Sequence, residues 1–241
     1  MIKFDTSTNP ILTRQEVWFN TDPAPAADKS HNIFYQSLAK PTVPVADLEV
    51  FNTTLIRLAE DEDTLFERIR KNVRYEIQRA PKEGVFFQPI ERPTAAEQQE
   101  YLQIQSAWAA SKNRKGMAAA RFRALARTEN VLLAKAAVPG QTLVFHLYLF
   151  DNQRARLLTS YHNTACDDRN LIGYANKFLH WESIRHFKNR GLAEYDFGGI
   201  DEVNTPGIAQ FKLSFGGERE QSWNFRIERG LYAFLKKLRG K

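Results

Sequence analysis

The chain has 241 residues, of which 43% are hydrophobic and 26% charged, a composition typical of a globular protein long enough to bury a substantial core. A single cysteine, Cys166, excludes an intramolecular disulfide framework and a cysteine-rich zinc site. The longest uncharged apolar stretch, residues 136–150, is shorter than the ~20 residues of a membrane span. The first residues lack the profile of a signal peptide, so we expect a cytoplasmic protein without a membrane span.

The net charge of +6 is concentrated in three basic segments. Residues 68–82 carry six bases against Glu76, residues 112–127 carry six bases and no acid, and residues 226–241 carry six bases against Glu228. Such segregation indicates a basic surface for a polyanionic partner, such as a nucleotide, coenzyme A, tRNA or an anionic lipid. Solvated helix faces explain the same charges equally well.

We expect residues 1–50 to form an irregular N-terminal segment with short strands. This segment should pack on a single domain that spans residues 51–241. Strands are indicated at residues 11–19 and 33–38, and a β-branched strand follows at residues 53–59. Proline-marked loops separate these strands.

A basic helix is predicted after Asp61 or Asp63, either of which can cap it. Its apolar residues recur every four positions on one face: Leu65, Ile69, Val73 and Ile77. Pro81 and Gly84 end this helix, and a strand follows at residues 85–90.

The middle of the chain predicts two helices and then three strands. Thr94 and Glu97 form a capping box at the start of the first helix, and the second is expected at residues 117–127. The last two strands are joined by a hairpin-sized connection. The three strands are expected at residues 131–138, 142–150 and 154–161.

A long helix is predicted at residues 173–190, with Gly191 at its C-terminal cap. Shorter elements complete the chain: a strand at residues 193–197, a helix at 208–215, a strand at 221–227 and a terminal basic helix. An antiparallel hairpin followed by a helix and an adjacent strand predicts an α/β (α+β) fold, with a mixed, mostly antiparallel sheet flanked by helices.

Two glycine-rich motifs carry the functional signal. The chain reads Tyr-Asp-Phe-Gly-Gly at residues 195–199 and Phe-Lys-x-x-Phe-Gly-Gly-Glu at residues 211–218. A glycine pair directly after a strand lets backbone and ligand approach closely, because no Cβ intervenes. Together with residues 173–182 and the basic helix at residues 72–80, these motifs resemble the Fem-type branch of the GNAT acyltransferase superfamily.

The resemblance implies a single GNAT-type domain that transfers an acetyl or aminoacyl group from an activated donor. The acceptor would be an amino group of a sugar or of a cell-envelope or polysaccharide precursor. Acyl-CoA is the preferred donor substrate, because a single domain resembles the polysaccharide-cluster members more than the bridge-forming enzymes, which usually have two GNAT domains. Aminoacyl-tRNA is the alternative donor, and the oligomeric state is left open.

Lys212 and Asp196 are the candidate catalytic residues. By resemblance, Lys212 approaches the acyl donor and stabilises the oxyanion of the tetrahedral intermediate. Its neighbours alone favour a surface lysine whose stem covers aromatic rings, and the resemblance reverses that preference. Asp196 would orient the acceptor or take its proton, or it would cap the following turn. His180 is a weaker candidate near the donor.

The resemblance also implies a donor site at the start of the long helix. In GNAT enzymes a loop of the form [R/Q]-x-x-G-x-[G/A] binds the donor pyrophosphate through backbone N–H groups, and this chain has a version one residue longer. The expected donor-binding residues are Arg169, Gly173, Tyr174, Ala175, Gly198, Gly199 and Phe211. Arg74 and Arg114 of the basic segments are the expected phosphate contacts.

No metal site is expected. The nearest set of metal-ligating residue types fits no usual ligand spacing: His162, Cys166, Asp167 and Asp168. A function of another class is a non-catalytic module that binds nucleic acid or a membrane surface through the basic helices, which include Lys236, Lys237, Arg239 and Lys241. Such a module would not need the glycine motifs or Lys212.

Overall fold

The structure is a computed structural model that describes residues 1–7, 13–25, 32–230 and 233–234. The chain divides into two compact units. The first combines Met1–Thr53 with Arg219–Lys241, and the second is Thr54–Glu218.

The strands and helices of the described residues follow one another in the order of the chain. The strands are β1 (Ile2–Asp5), β2 (Arg14–Asn20), β3 (Asn32–Ser37), β4 (Ala46–Arg57), β5 (Phe86–Ile90), β6 (Val131–Val138), β7 (Gln141–Phe150), β8 (Arg154–His162), β9 (Glu194–Gly199) and β10 (Glu218–Glu228). The helices are α1 (Glu62–Arg68), α2 (Lys71–Lys82), α3 (Ala95–Ser111), α4 (Ala119–Ala126), α5 (Arg169–Asn189) and α6 (Pro206–Leu213).

The first unit contains β1, β2, β3, the first part of β4 and β10. β1 pairs with β2 and β10 with β3 in antiparallel fashion, whereas β2 and β3 are parallel. A small apolar core holds these strands together, and within it the rings of Tyr35 and Phe225 stack at a centroid distance of 4.9 Å. Burial of two such rings stabilises the pairing of β3 with β10.

The second unit contains a mixed sheet with the strand order β4-β9-β8-β7-β6-β5. From β5 to β8 each strand pairs antiparallel with the next, whereas β8 and β9 are parallel. Parallel neighbours need a crossover connection, which here is α5. The predicted fold class, a mixed and mostly antiparallel sheet flanked by helices, is confirmed.

Helices cover both faces of this sheet. Neighbouring residues of a strand point to opposite faces, so the helix that each residue contacts shows which face that helix covers. Phe145 of β7 contacts Tyr101 of α3, with 5.7 Å between the ring centroids. The next residue, His146, forms a hydrogen bond of 2.9 Å with Asn176 of α5. α3 and α5 therefore lie on opposite faces, and α2 packs against α5.

The single helix predicted after Asp61 is in fact two helices, so that prediction was wrong. Asp61 caps α1 as expected, but the chain becomes extended at Ile69 and Arg70 before α2 begins. The N–H of Arg70 donates to the carbonyl of Ser214 at 2.9 Å, a partner far along the chain that the local apolar period does not reveal. The predicted apolar face is nevertheless buried: Leu65, Ile69, Val73 and Ile77.

Other predicted elements differ mainly at their ends. β1 was not predicted, and β4 begins seven residues before the predicted strand at residue 53. The basic residues expected in a terminal helix lie outside the described residues: Lys236, Lys237, Arg239 and Lys241. Among the helices that the structure describes, none has the length and apolarity to cross a membrane.

Candidate functional site

The parallel pairing of β8 and β9 ends before either strand does. Their pairing joins Arg154 to Glu194 and continues to Arg156 and Asp196. Within this fully described stretch the pairing stops there, while β8 continues to His162. In open α/β sheets, ligands bind at the carboxyl ends of parallel strands. Two predicted site residues lie at this point: Asp196 is the last paired residue of β9, and Lys212 bonds the carbonyl of Gly199 just beyond it.

Gly198 turns the chain at the end of β9. Its φ is +71°, and a Cβ at this position would lie 2.7 Å from the carbonyl oxygen of Leu157. No larger side chain fits at that distance, and a positive φ strains any residue with a Cβ. The close approach predicted for the glycine pair is thus made to the backbone of β8.

Asp196 is completely buried and belongs to a cluster of charged residues on β8 and β9. Its Oδ2 lies 3.2 Å from Arg156 and 3.7 Å from Arg154, and its Oδ1 accepts the N–H of Gly198 at 2.7 Å. Arg154 also donates to Glu194 at 2.6 Å. Asp196 therefore has the turn-capping role, one of the two that the sequence left open; a direct contact with the acceptor stays a prediction.

Lys212, on the last turn of α6, reaches the end of β9. Its Nζ donates to the carbonyl of Gly199 at 2.6 Å. Burial lowers the pKa of Lys212 to about 8, and the charge of Arg156 adds to this effect, whereas the charge of Asp196 opposes it. A buried lysine whose pKa is lowered in this way is typical of functional sites.

Phe211 connects this end of β9 to α5 and α2. Its ring lies 5.5 Å from the ring of His180, and the Nζ of Lys177 lies 5.9 Å from its centroid. Lys177 in turn forms an ion pair of 2.6 Å with Glu76 of α2 and donates to the carbonyl of Gly173 at 3.5 Å. Phe211 and Gly173, both predicted donor-binding residues, are thus linked through Lys177.

A chain of hydrogen bonds runs through the core between α5 and the sheet. Its links are His180 Nδ1 to the Tyr195 hydroxyl, Tyr195 to the Tyr148 hydroxyl, and Tyr148 to His146 Nδ1, each 2.8 Å long. His146 Nε2 then contacts the Asn176 carbonyl oxygen at 2.9 Å. Because that oxygen only accepts, Nε2 donates and Nδ1 accepts from Tyr148.

The groups of this chain are neutral. Burial lowers the pKa of His146 to about 3. Burial also takes the pKa of His180 well below its usual range, and repulsion from a protonated His146 and the positive charges of Lys212 and Lys177 add to the effect. Burial also raises the pKa of Tyr148 and Tyr195. The sequence reasoning missed these residues as a group. The signal was present in β7, where His146 and Tyr148 are two polar residues on one face of an apolar strand.

The start of α5 differs from the predicted donor loop. The helix begins at Arg169, four residues earlier than predicted, and the carboxylate of Asp168 accepts the N–H groups of Asn170 and Leu171. Gly173, Tyr174 and Ala175 consequently lie in the second turn. The predicted position of these three residues at the helix N-terminus was therefore wrong, because the Asp168 cap starts the helix sooner.

The two expected phosphate contacts lie on elements at opposite faces of the sheet. Arg74 is on α2, which packs against α5. Arg114 follows α3 on the other face. The first two basic segments therefore lie on elements that cover opposite faces of the sheet.

Two cavities of the second unit lie away from Lys212 and Asp196. One, of about 340 Å³, is lined by residues of α1, α2 and α5, including Phe66 and Trp181. The other, of about 510 Å³, is lined by residues of α3 and of the segment that leads into α4. Neither has Lys212 or Asp196 among its lining residues.

Comparison with known proteins agrees with this architecture. Among solved structures, the fold is similar to that of FemX, with a TM-score of 0.62 and 13% identity over 87% of this chain and 74% of FemX. A conserved protein of unknown function from Bacteroides thetaiotaomicron gives a TM-score of 0.57 and 13% identity over 83% of this chain and 70% of that protein. L-PGS from Bacillus licheniformis gives a TM-score of 0.54 and 12% identity over 86% of this chain and 71% of L-PGS. Such identities show a shared fold.

No curated protein sequence matches the chain. Residues 67–213, more than half of the chain, match the family model of the acetyltransferase (GNAT) domain. The matched range includes both glycines of β9, Phe211 and Lys212. The predicted resemblance to the GNAT superfamily is thereby confirmed, and the likeness to its Fem-type branch is confirmed at the level of the fold. The chain belongs to the GNAT acetyltransferase family and is an N-acyltransferase with the fold of FemX.

Proposed function

We propose that this acyltransferase moves an acyl group from acyl-CoA to a primary amine of a sugar or a cell-envelope precursor. The observation that carries the proposal is the placement of Lys212. Its ammonium is largely buried, is bonded to the carbonyl of Gly199 and lies beyond the last paired residues of β8 and β9. A cation in such a place is well suited to stabilise charge that develops in a transition state.

The reaction begins when the acceptor nitrogen attacks the thioester carbonyl. The carbonyl oxygen then becomes an oxyanion. Lys212 has three N–H donors, and the bond to Gly199 uses one of them, so two can donate to the oxyanion. When the intermediate collapses, the C–N bond remains, the C–S bond breaks and the proton lost by the amine passes through solvent to the thiolate.

Asp196 acts on this reaction through Lys212. The carboxylate is completely buried, and its charge raises the pKa of Lys212 against the effect of burial. It therefore helps to keep the ammonium charged near neutral pH. The same carboxylate also fixes the turn at Gly198, whose neighbour Gly199 supplies the carbonyl that holds Lys212.

The donor is proposed to be bound on the α5 face of the sheet. Because Asp168 already occupies two backbone N–H groups at the start of α5, the donor phosphates are assigned to the side chains of Arg169 and Arg74. Phe211, beside Lys177 and His180, is proposed to contact the acyl end of the donor. The family description, an acetyltransferase domain, supports acetyl-CoA as the first donor to test.

The test is an acyl-transfer assay with the purified chain. Acetyl-CoA is offered with glucosamine, and the thiol released and the mass of the product are followed; aminoacyl-tRNA replaces acetyl-CoA in a parallel assay. Acetylated glucosamine, formed by the wild type and not by Lys212→Met, is the expected result. If the protein transfers the acyl group only from aminoacyl-tRNA, the donor is aminoacyl-tRNA and not acyl-CoA. Binding of both polyanions without transfer from either would instead indicate a binding module that uses the basic helices.

A further inference from the structure

Four aromatic rings from α5, β9 and the end of α6 pack together: His180, Phe197, Phe211 and Phe215. The His180 ring lies 4.9 Å from Phe197 and 5.4 Å from Phe215, measured between ring centroids. The Phe211 ring lies 5.5 Å from both His180 and Phe215. Centroid distances of about 4.5–7 Å are those of rings in direct contact. These four residues, the aromatic cluster, therefore fill the space between them.

Phe211 is the member of the aromatic cluster that borders solvent. His180, Phe197 and Phe215 are each at most 2% exposed. Phe211, by contrast, is partly exposed. A group that approaches the aromatic cluster from outside therefore meets the ring of Phe211 first, and the three buried rings close the space behind it.

The aromatic cluster adjoins the ammonium of Lys212. Phe211 and Lys212 are consecutive residues of α6, and Lys212 bonds the carbonyl of Gly199, two residues after Phe197. The positive charge of Lys212 also lowers the pKa of His180, an effect that weakens with distance. The acyl carbon next to a carbonyl that Lys212 polarises is therefore within reach of Phe211.

The electrostatic surroundings of the aromatic cluster are positive. The Nζ of Lys177 lies 5.9 Å from the centroid of Phe211, and the charges of Lys212 and Lys177 both lower the pKa of His180. The ion pair of Lys177 with Glu76 reduces its share of this effect, whereas Lys212 bonds a neutral carbonyl. A positive group on the acyl chain would be repelled here, and a neutral one would not.

We propose that Phe211 restricts the transferred acyl group to a small, uncharged one, in chemical terms an acetyl group. The acetyl methyl contacts the ring of Phe211, and each further methylene would have to displace a ring that is already packed. An aminoacyl group would bring an ammonium beside Lys212 and Lys177. This inference rests on the proposed function for the thioester donor and adds the residue that selects the acyl group.

Coenzyme A thioesters of graded length test the size limit, and their binding needs no acceptor. Isothermal titration calorimetry of the wild type with acetyl-, propionyl- and butyryl-CoA gives the three Kd values. We expect the Kd to rise at least about tenfold from acetyl- to butyryl-CoA, since one methylene that does not fit changes discrimination about 10- to 200-fold. The values of kcat/KM with glucosamine as the acceptor should fall in the same order.

Variants of two partly exposed phenylalanines show whether Phe211 sets the limit. Phe211→Ala opens space in front of the buried rings and should bind butyryl-CoA at least as tightly as acetyl-CoA. Phe211→Leu makes a smaller opening and should shift the preference in the same direction if Phe211→Ala does not fold. Phe66→Ala is the matched control, because Phe66 also packs on a ring of α5, Trp181 at 4.9 Å, but lines a cavity away from Lys212. This control should keep the preference of the wild type.

The thioester β-alanyl-CoA tests the charge limit. Its acyl group has the length of a butyryl group, with an ammonium in place of the terminal methyl. In Phe211→Ala, where size no longer limits binding, butyryl-CoA should bind at least about tenfold more tightly than β-alanyl-CoA. Equal affinities would overturn the exclusion of a charged acyl group.

The outcomes separate this inference from the proposed function. Equal Kd values of the wild type for acetyl- and butyryl-CoA, or the same preference in Phe211→Ala and Phe66→Ala, would overturn the inference and leave acetyl-CoA as a donor. Failure of the wild type to bind any of these thioesters would overturn the proposed donor and the inference together. The expected order of Kd values without acetylation of glucosamine would support the inference and show that the proposed acceptor is wrong.

Discussion

Lys212 is held in a position where its positive charge opposes folding. Because burial lowers its pKa to about 8, the unfolded chain binds the Lys212 proton more tightly than the folded protein does. The free energy of unfolding therefore rises with pH between about 8 and the unfolded pKa of about 10.4, and the full penalty is present below pH 8. Residues that reduce stability in this way are typical of active sites.

The pH dependence of turnover tests the charge state of Lys212. If the ammonium stabilises the oxyanion, kcat with saturating substrates should fall as the pH rises through about 8, because the folded protein then loses this proton. In Lys212→Arg the fall should move beyond the measured range, because the guanidinium of arginine stays charged throughout it. The measurement is kcat from pH 6.5 to 9.5. A wild-type kcat that rises steadily up to pH 9.5 would contradict the cationic role.

Some of the site could be predicted from single residues and some could not. The position of Lys212 between Phe211 and Leu213, close to a glycine pair, pointed to an unusual lysine. The burial of Asp196 was not predictable, because its arginine partners depend on the register that places Arg156 opposite Asp196 in the parallel pair. The local sequence does not predict that register.

Replacement of Asp196 should mainly reduce stability. Asp196→Asn keeps an acceptor for the Gly198 N–H but removes a completely buried negative charge 3.2 Å from Arg156. Loss of one partner of a buried ion pair costs about 3–5 kcal/mol. Urea denaturation measures the change. Glu129→Gln is the control, because its pair with Arg92 has the same 3.2 Å separation but both side chains are 85% exposed. A loss of under about 1 kcal/mol, as for an exposed pair, would show that the buried charges are not coupled.

Among the elements, β8, α5, β9 and α6 together form the candidate site. Their existence and order were predicted from apolar periodicity, a hairpin-sized connection and the Gly191 cap. The start of α5 was predicted too late, because the family-like loop drew attention to Gly173 while Asp168 provides the cap. The break between α1 and α2 was missed, because it depends on the bond from Arg70 to Ser214. Sequence patterns thus predict elements well and contacts between distant elements poorly.

The turn at the end of β9 should not tolerate a side chain. Gly198→Ala combines a positive φ with a Cβ 2.7 Å from the Leu157 carbonyl oxygen. Gly191→Ala is the matched control, since Gly191 has a φ of +80° with no atom within 4 Å of an added Cβ. We expect the control to lose about 1–2 kcal/mol and Gly198→Ala to lose more. Equal losses in urea denaturation would show that the approach to Leu157 imposes no constraint.

At the scale of the whole molecule, the basic charge is distributed over separate surfaces. The segment that contains Arg74 is on the α5 side of the sheet, and the segment that contains Arg114 follows α3 on the other side. The sequence shows that these segments are basic, but only the alternation of side chains along β7 shows that they face apart. One donor molecule should therefore contact Arg74 and not Arg114.

The salt dependence of donor binding tests this division. Bound phosphates release counterions, so the donor KM should increase with salt. Arg74→Gln should raise the KM for acetyl-CoA and reduce its dependence on salt, whereas Arg114→Gln should leave both unchanged. The measurement is the donor KM at several concentrations of sodium chloride for the three proteins. The reverse pattern would place the donor on the α3 face.

The most direct test compares two partly buried lysines that both donate to backbone carbonyls. Lys212 bonds Gly199 at the candidate site, and Lys188 bonds Leu58 at 2.9 Å away from it. We predict that Lys212→Met lowers kcat about 10²- to 10³-fold, as for the loss of one oxyanion donor. Its unfolding free energy at pH 7 should equal that of the wild type or exceed it by up to about 3 kcal/mol, because a buried charge is removed.

Lys188→Met should show the opposite pattern, with lower stability and a kcat close to that of the wild type. Both variants are measured in the acetyl-CoA assay, with urea denaturation in parallel. A Lys212→Met protein that is folded and retains turnover close to the wild type would contradict the assignment of Lys212 as the residue that stabilises the oxyanion.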